Sequence, residues 1–292
     1  MFPFLLNYWE KDPLLCLMGS LLLLAISCLW IHRYVAFVLA LSSAGLAYYM
    51  GRISPFAIGI LGLFSTLLLL EQHINRASVL KGLITVAIAA VATASFFHLL
   101  PGFTNWQILP PTQVSSGAPP YDFYLNLDKG LVGFLLLFFM IKPAQNRHEW
   151  TMILKGWLAL TPWGILCLLG ITYFFGWTVY EPKKPTFFLA WAAINLLTVS
   201  LVEEALYRGF IQERLSRWIG PWNALILNTL AFMGGHFYFT HDWRYLSLVG
   251  LASFFYGLTY HLTKRVEAAA LVHFSVNAFH LLLWTYPRLL TP

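Results

Sequence analysis

The chain has 292 residues, of which 59% are hydrophobic and only 10% charged, with a formal net charge of +6. So apolar a composition, with a mean hydropathy of +0.69, excludes a soluble globular domain and marks a polytopic membrane protein. The basic residues are scattered through short loops and form no cluster, which argues against a nucleic acid as partner and for a lipid bilayer as solvent.

The first residues, Met-Phe-Pro-Phe-Leu-Leu-Asn-Tyr-Trp-Glu-Lys-Asp-Pro, carry no basic region and no small-residue cleavage site before the first long apolar run. No removable signal peptide is expected. Apolar runs then follow at 14–31, 35–50, 55–70 and 79–99. A connection at 101–129, rich in Pro, Gly, Ser and aromatic residues, is expected to pack at the membrane surface as an aromatic loop. Further runs at 131–141, 152–175, 187–211, 222–239, 245–263 and 268–284 bring the total to about ten, set against the roughly 20 residues that a helix needs to cross the hydrocarbon core. The run at 131–141 is the shortest. The expected fold is an all-α, polytopic transmembrane helical bundle, with an amino-terminal multi-span region over 1–129 and a second region over 130–292. No internal repeat or low-complexity tract is apparent.

Cys16, Cys28 and Cys167 lie inside apolar runs without zinc-type or disulfide spacing and are expected to pack inertly. Alternating the loops between the two sides groups Arg33, Arg76, Lys81, Lys142, Arg147, Lys155, Arg208, Arg214, Arg217, Lys264 and Arg265 on one side. By the positive-inside tendency that side is cytoplasmic, and the long connection and both termini lie outside.

Negative charge enters an apolar run at one place, Glu203-Glu204. Ionisable groups are costly in a bilayer and generally functional there. Glu204 and Arg208 are four apart, the spacing of a same-face ion pair. Glu203 is rotated by about 100° from Glu204 and has no basic residue one turn away, which leaves it as a candidate general base. In the eighth run Phe232 and His236 are one turn apart, and Gly234 and Gly235 are expected to admit a close backbone. In the tenth, His273 and Asn277 share a face, with His280 near it.

Any single histidine or asparagine in such a run is more often an interhelical hydrogen-bonding group than a catalyst. Their joint occurrence shifts that balance. Glu203 with His236 can hold and deprotonate a water, while His273 with Asn277 can donate to the oxygen that turns negative when water attacks a carbonyl. The same groups have a second use, because Glu203, His236 and His273 are also the ligand types of a hydrolytic zinc site.

The set Glu203-Glu204-x-x-x-Arg208, Phe232-x-x-x-His236 and His273-x-x-x-Asn277 resembles the motifs of the CPBP or Abi family, which includes type II CAAX prenyl endopeptidases and bacteriocin-processing relatives. The resemblance covers 187–284 and implies a catalytic core in the last four spans. It implies that Glu203 and His236 activate water, that His273 and Asn277 bind the oxyanion, that Glu204, Arg208 and Phe232 give structural support, and that no metal or other cofactor is required. The amino-terminal half has no counterpart in that family core.

The expected function is that of a multi-pass endopeptidase of a prokaryotic inner or plasma membrane, acting on a membrane protein or peptide substrate. Processing near the carboxyl terminus of a lipidated or sorting-tagged protein is one form of it. The competing readings are a transporter whose Glu and His form a proton relay, and a non-catalytic immunity-type membrane protein.

Overall fold

The computed structural model describes residues 10–75, 78–238 and 240–288. The reading of the first nine residues, Arg76 in the topology count, and Phe239 at the end of a run lie outside the described residues. Each predicted run coincides with a helix: α1 (Pro13–Cys28), α2 (Arg33–Tyr49), α3 (Pro55–His73), α4 (Val79–Phe96), α5 (Leu127–Met140), α6 (Arg147–Phe174), α7 (Phe188–Ile219), α8 (Pro221–His236), α9 (Trp243–Thr263) and α10 (Val266–Leu283). Five of them, α3, α4, α6, α7 and α10, are long and apolar enough to cross a bilayer, and α1 is a shorter apolar helix. The helical membrane architecture is as expected; among the described residues five helices meet that length and apolarity, against the roughly ten spans read from the sequence.

Local chemistry explains where the helices begin. Asp12, Ser54, Ser78, Asn146 and Asp242 each accept a backbone N–H of the first turn of α1, α3, α4, α6 and α9, which satisfies donors that have no intrahelical partner. Pro13, Pro55 and Pro221 stand in the first turns of α1, α3 and α8, where a missing N–H costs nothing. Gly220 alone separates α7 from α8, and its φ of +82° is a conformation that a side chain disfavours. That one residue reverses the chain and lays α8 back along α7.

Large apolar side chains such as Leu24, Val38, Leu63, Val86, Leu158 and Leu166 point outward and are exposed. So extensive an apolar surface fits hydrocarbon as the surrounding medium. Within the bundle burial is uneven: 56% of the α7 window and 61% of the α10 window is buried, against 22% for α3. The two helices that carry the acidic pair and the His-Asn pair are therefore interior ones.

α5 differs from the run read at 131–141. It begins four residues earlier, and its residues from Leu127 to Leu137 are all buried. A helix covered all round is a core helix, and α1 to α4 and α7 pack around it. Close approach to α7 depends on Gly133, where a Cβ would collide with the Val202 side chain. One hydrophobic core extends from Leu15 through α5 to Leu281. The proposed division between 129 and 130 falls in the first turn of α5.

The connection at 101–129 is not only a loop. It contains an antiparallel pair, β1 (Trp106–Thr112) with β2 (Tyr121–Leu125), in irregular register. Alternation in Tyr121-Asp-Phe-Tyr-Leu buries Phe123 and Leu125 and leaves Tyr124 outward, as a half-covered strand requires. The prolines and glycines of the segment masked this pattern in the sequence.

Candidate active site

α7 changes helical type along its length. It is α-helical over Phe188–Ile194, Leu201–Glu204 and Glu213–Ile219, and π-helical over Asn195–Ser200 and Ala205–Gln212. A π turn bonds each residue to the fifth one on, so it widens the helix and turns side chains off the 3.6-residue register, most often at functional sites. Here the two π segments bracket the acidic pair. Simple bookkeeping at 1.5 Å per residue sets Glu203 about 24 Å into the seventh run and far from His236. The structure removes this mismatch: α7 continues to Ile219, and α8 stops at His236. Beside His236, Gly235 faces the Tyr207 hydroxyl, 3.2 Å from where a Cβ would stand. Gly235 thus admits the side chains of Tyr207 and Phe97, not a backbone as expected, and Gly234 faces open space.

The centre of the arrangement is Arg208, the largest of the fully buried side chains. Its Nη1 donates to Glu204 Oε1 at 3.1 Å and its Nε stands 3.0 Å from Glu204 Oε2, the predicted pair. Nη2 donates to the Ser253 carbonyl and hydroxyl of α9, both at 2.7 Å. The guanidinium carbon lies 4.9 Å from the centre of the Phe232 ring and 5.5 Å from that of Tyr256, within the range of cation–π attraction. Glu204 Oε1 also accepts from His273 Nδ1 at 2.9 Å. Arg208 and Glu204 therefore tie α7 to α8, α9 and α10 at one level.

Tautomers follow from these partners. Glu204 accepts from Arg208 and is a carboxylate, so His273 Nδ1 is a donor toward it. The His273 ring stacks on Tyr256 with centroids 4.4 Å apart and planes 10° from parallel, which fixes its orientation. His236 Nδ1 lies 2.9 Å from the Phe232 carbonyl. A carbonyl only accepts, so Nδ1 carries the proton and the neutral ring keeps Nε2 as acceptor. Asn277 Nδ2 donates to Asn195 Oδ1 at 3.3 Å, and the Ser200 hydroxyl donates to the same oxygen.

Phe232, His236, His273, Asn277 and His280 line one cavity of about 220 Å³, together with Tyr256 and apolar residues of α6 and α9. Glu203 is not among its lining side chains. It lies within electrostatic reach of both His236 and His273, with 13% of its side chain exposed. Nor is it unpartnered, as expected from its own helix: Lys129 Nζ, in the first turn of α5, donates to Glu203 Oε1 at 2.5 Å. The neighbouring Asp128 is buried and takes His98 Nδ1 at 2.9 Å. His280 Nε2 lies 3.2 Å from the carbonyl of Thr285.

Lys129 and Asn195 are the site residues that sequence reading missed. Lys129 left no signal, since it is distant in sequence and stands where a loop was read. Asn195 left one: it is a lone amide in the apolar run Ala-Ala-Ile-Asn-Leu-Leu, two turns before Glu203.

Among the described residues no three His, Cys, Asp or Glu side chains gather closely enough to hold a metal ion. Glu203, His236 and His273, the ligand types of a hydrolytic zinc site, do not form such a group among the described residues. At the mouth of the cavity Asp242 and Arg244 pair at 3.1 Å, and hydrogen bonding from Arg244 holds the Asp242 carboxyl below the usual carboxylate range.

A polytopic helical membrane protein with a carboxylate, two histidines and an asparagine at one interior level is the class that fold and site define. Residues 185–279 match the family model described as type II CAAX prenyl endopeptidase, Rce1-like. The match takes in all of the motif residues and about a third of the chain, and over that segment it bears out the resemblance read from the motifs. No curated protein and no solved structure matches the chain.

Proposed function

We propose that this protein is an intramembrane endopeptidase that cleaves a peptide bond with water activated by Glu203 and His236. The family match supports peptide hydrolysis as the class of reaction. The single observation that carries the reading is that Phe232, His236, His273 and Asn277 line one cavity, with His273 held there by a buried carboxylate.

In this mechanism the attacking water is held by His236 Nε2 and loses its proton to the Glu203 carboxylate. The water oxygen bonds to the carbonyl carbon, and the carbonyl oxygen becomes an oxyanion. His273, with Nδ1–H given to Glu204, donates to this oxyanion from Nε2 when the ring carries both protons. Asn277 Nδ2 donates beside it, oriented by Asn195. Collapse breaks the C–N bond, and the proton on Glu203 passes to the leaving amine. Donors preset where charge develops form the largest single contribution in such reactions. Lys129 touches no substrate in this scheme and acts by holding Glu203 in place.

Cells that produce the wild-type chain or Glu203→Gln at equal levels test the reading through the termini of their membrane-associated polypeptides. Wild-type cells should hold cleaved termini that Glu203→Gln cells lack, with the uncut polypeptide accumulating in the variant. Identical sets of termini overturn the reading.

A further inference from the structure

The cavity belongs to one end of the bundle. Its lining comes from the carboxyl-terminal halves of α6 and α8, from α10 between His273 and His280, from α9 between Arg244 and Tyr256, and from the segments around Trp177, Asp242 and Arg288. That end also holds the β1–β2 hairpin, since Tyr286 N–H donates to the Ser115 hydroxyl at 2.9 Å. At the opposite end other contacts join the loops: Arg33 to the Phe138 carbonyl at 2.7 Å, Arg214 to Glu71 at 2.7 Å, and Arg265 to Glu149 at 3.4 Å. Among the described residues none from that end lines the cavity.

Charge is divided unequally between the two ends. Within the site Lys129 and Arg208 offset Glu203 and Glu204. Of the other sixteen lysines and arginines, ten lie at the end away from the cavity, with four acidic residues, counting Arg76 by its place in sequence between α3 and α4. The cavity end has six basic and six acidic residues. The whole net charge of +6 thus resides at the end away from the cavity. Loops rich in lysine and arginine stay in the cytoplasm when a helical membrane protein inserts.

We propose that the cavity opens on the non-cytoplasmic face and takes an exported polypeptide segment that offers an apolar side chain to the walls built by Leu168, Leu248, Val249 and Val276. The substrate part of this proposal rests on the endopeptidase reading, and the orientation does not. A polypeptide carboxyl terminus modified in the cytoplasm approaches from the wrong side.

The test is cysteine labelling of the full chain in a background with Cys16, Cys28 and Cys167 changed to serine. Ser116→Cys and Lys184→Cys mark the cavity end, and Lys142→Cys and Arg217→Cys the other. With a membrane-impermeant maleimide on sealed cells stripped of any outer barrier, the first pair should react at once and the second only after permeabilisation. Reaction of the second pair in sealed cells, or no reaction of the first, overturns the orientation. A protease added to sealed Glu203→Gln cells should digest the scissile segment of the uncut polypeptide, and its protection overturns the substrate assignment. If no cleavage depends on Glu203, the endopeptidase reading fails while the labelling result stands.

Discussion

At the scale of single residues, the two adjacent glutamates have different work. Glu204 is enclosed by Arg208 and His273 and has no exposed surface, and in the proposed mechanism it is scaffolding for the site. Removing one member of a buried pair leaves the other charge uncompensated, at a cost of about 3–5 kcal/mol. Arg208→Met should therefore lower the thermal unfolding midpoint in detergent far more than Glu203→Gln does. Glu203→Gln instead keeps the fold and should lose about 10²–10⁴-fold in cleavage rate, the usual contribution of a general base. Lys129→Met removes the cation beside Glu203 and should lower kcat more than it changes KM, and Lys129→Arg should recover most of the loss. A purely structural Lys129 predicts instead a fall in stability with kcat per folded molecule unchanged. Pairing within one turn, as in Glu204 and Arg208, was legible in the sequence because four residues on a helix return to the same face. The Lys129 contact was not, because nothing local ties α5 to the middle of α7.

At the scale of elements, two features govern the site: the close packing of α5 on α7, and the π segments of α7. Gly133→Ala puts a methyl where Val202 stands, and overpacking of this kind costs about 1–3 kcal/mol. The variant should lose stability and, because α5 must move away, should lose cleavage activity as Lys129→Met does. Unfolding and activity measured on one preparation check both parts. The helices themselves were readable from apolar runs, to within a few residues at most ends. The π segments were not, since Asn195–Ser200 and Ala205–Gln212 look like ordinary helix in composition. The β1–β2 hairpin was hidden for the opposite reason, its short alternating stretch being interrupted by Pro110 and Pro111.

At the scale of the whole molecule, the amino-terminal helices pack into the same hydrophobic core as the helices of the site. α1 to α4 cover α5, and α5 delivers Lys129 to Glu203. Without them, α5 presents Asp128 and Lys129 to lipid, where unpaired charge is costly. A chain starting at residue 127 should therefore fail to accumulate as a folded, active protein, while the full chain does so under the same conditions. Recovery of full activity from that fragment contradicts the integrated core. A family motif covering a third of the chain could not foretell this, since the contact comes from outside the matched residues.

The central claim is that a single carboxylate, Glu203, activates the water that cleaves a peptide bond. Its most direct test is the cleavage rate of the purified full chain in liposomes, with the polypeptide whose uncut form accumulates in Glu203→Gln cells as substrate. The wild-type chain should release two fragments, and folded Glu203→Gln should leave the polypeptide intact over the same time. Cleavage by folded Glu203→Gln at the wild-type rate contradicts the account.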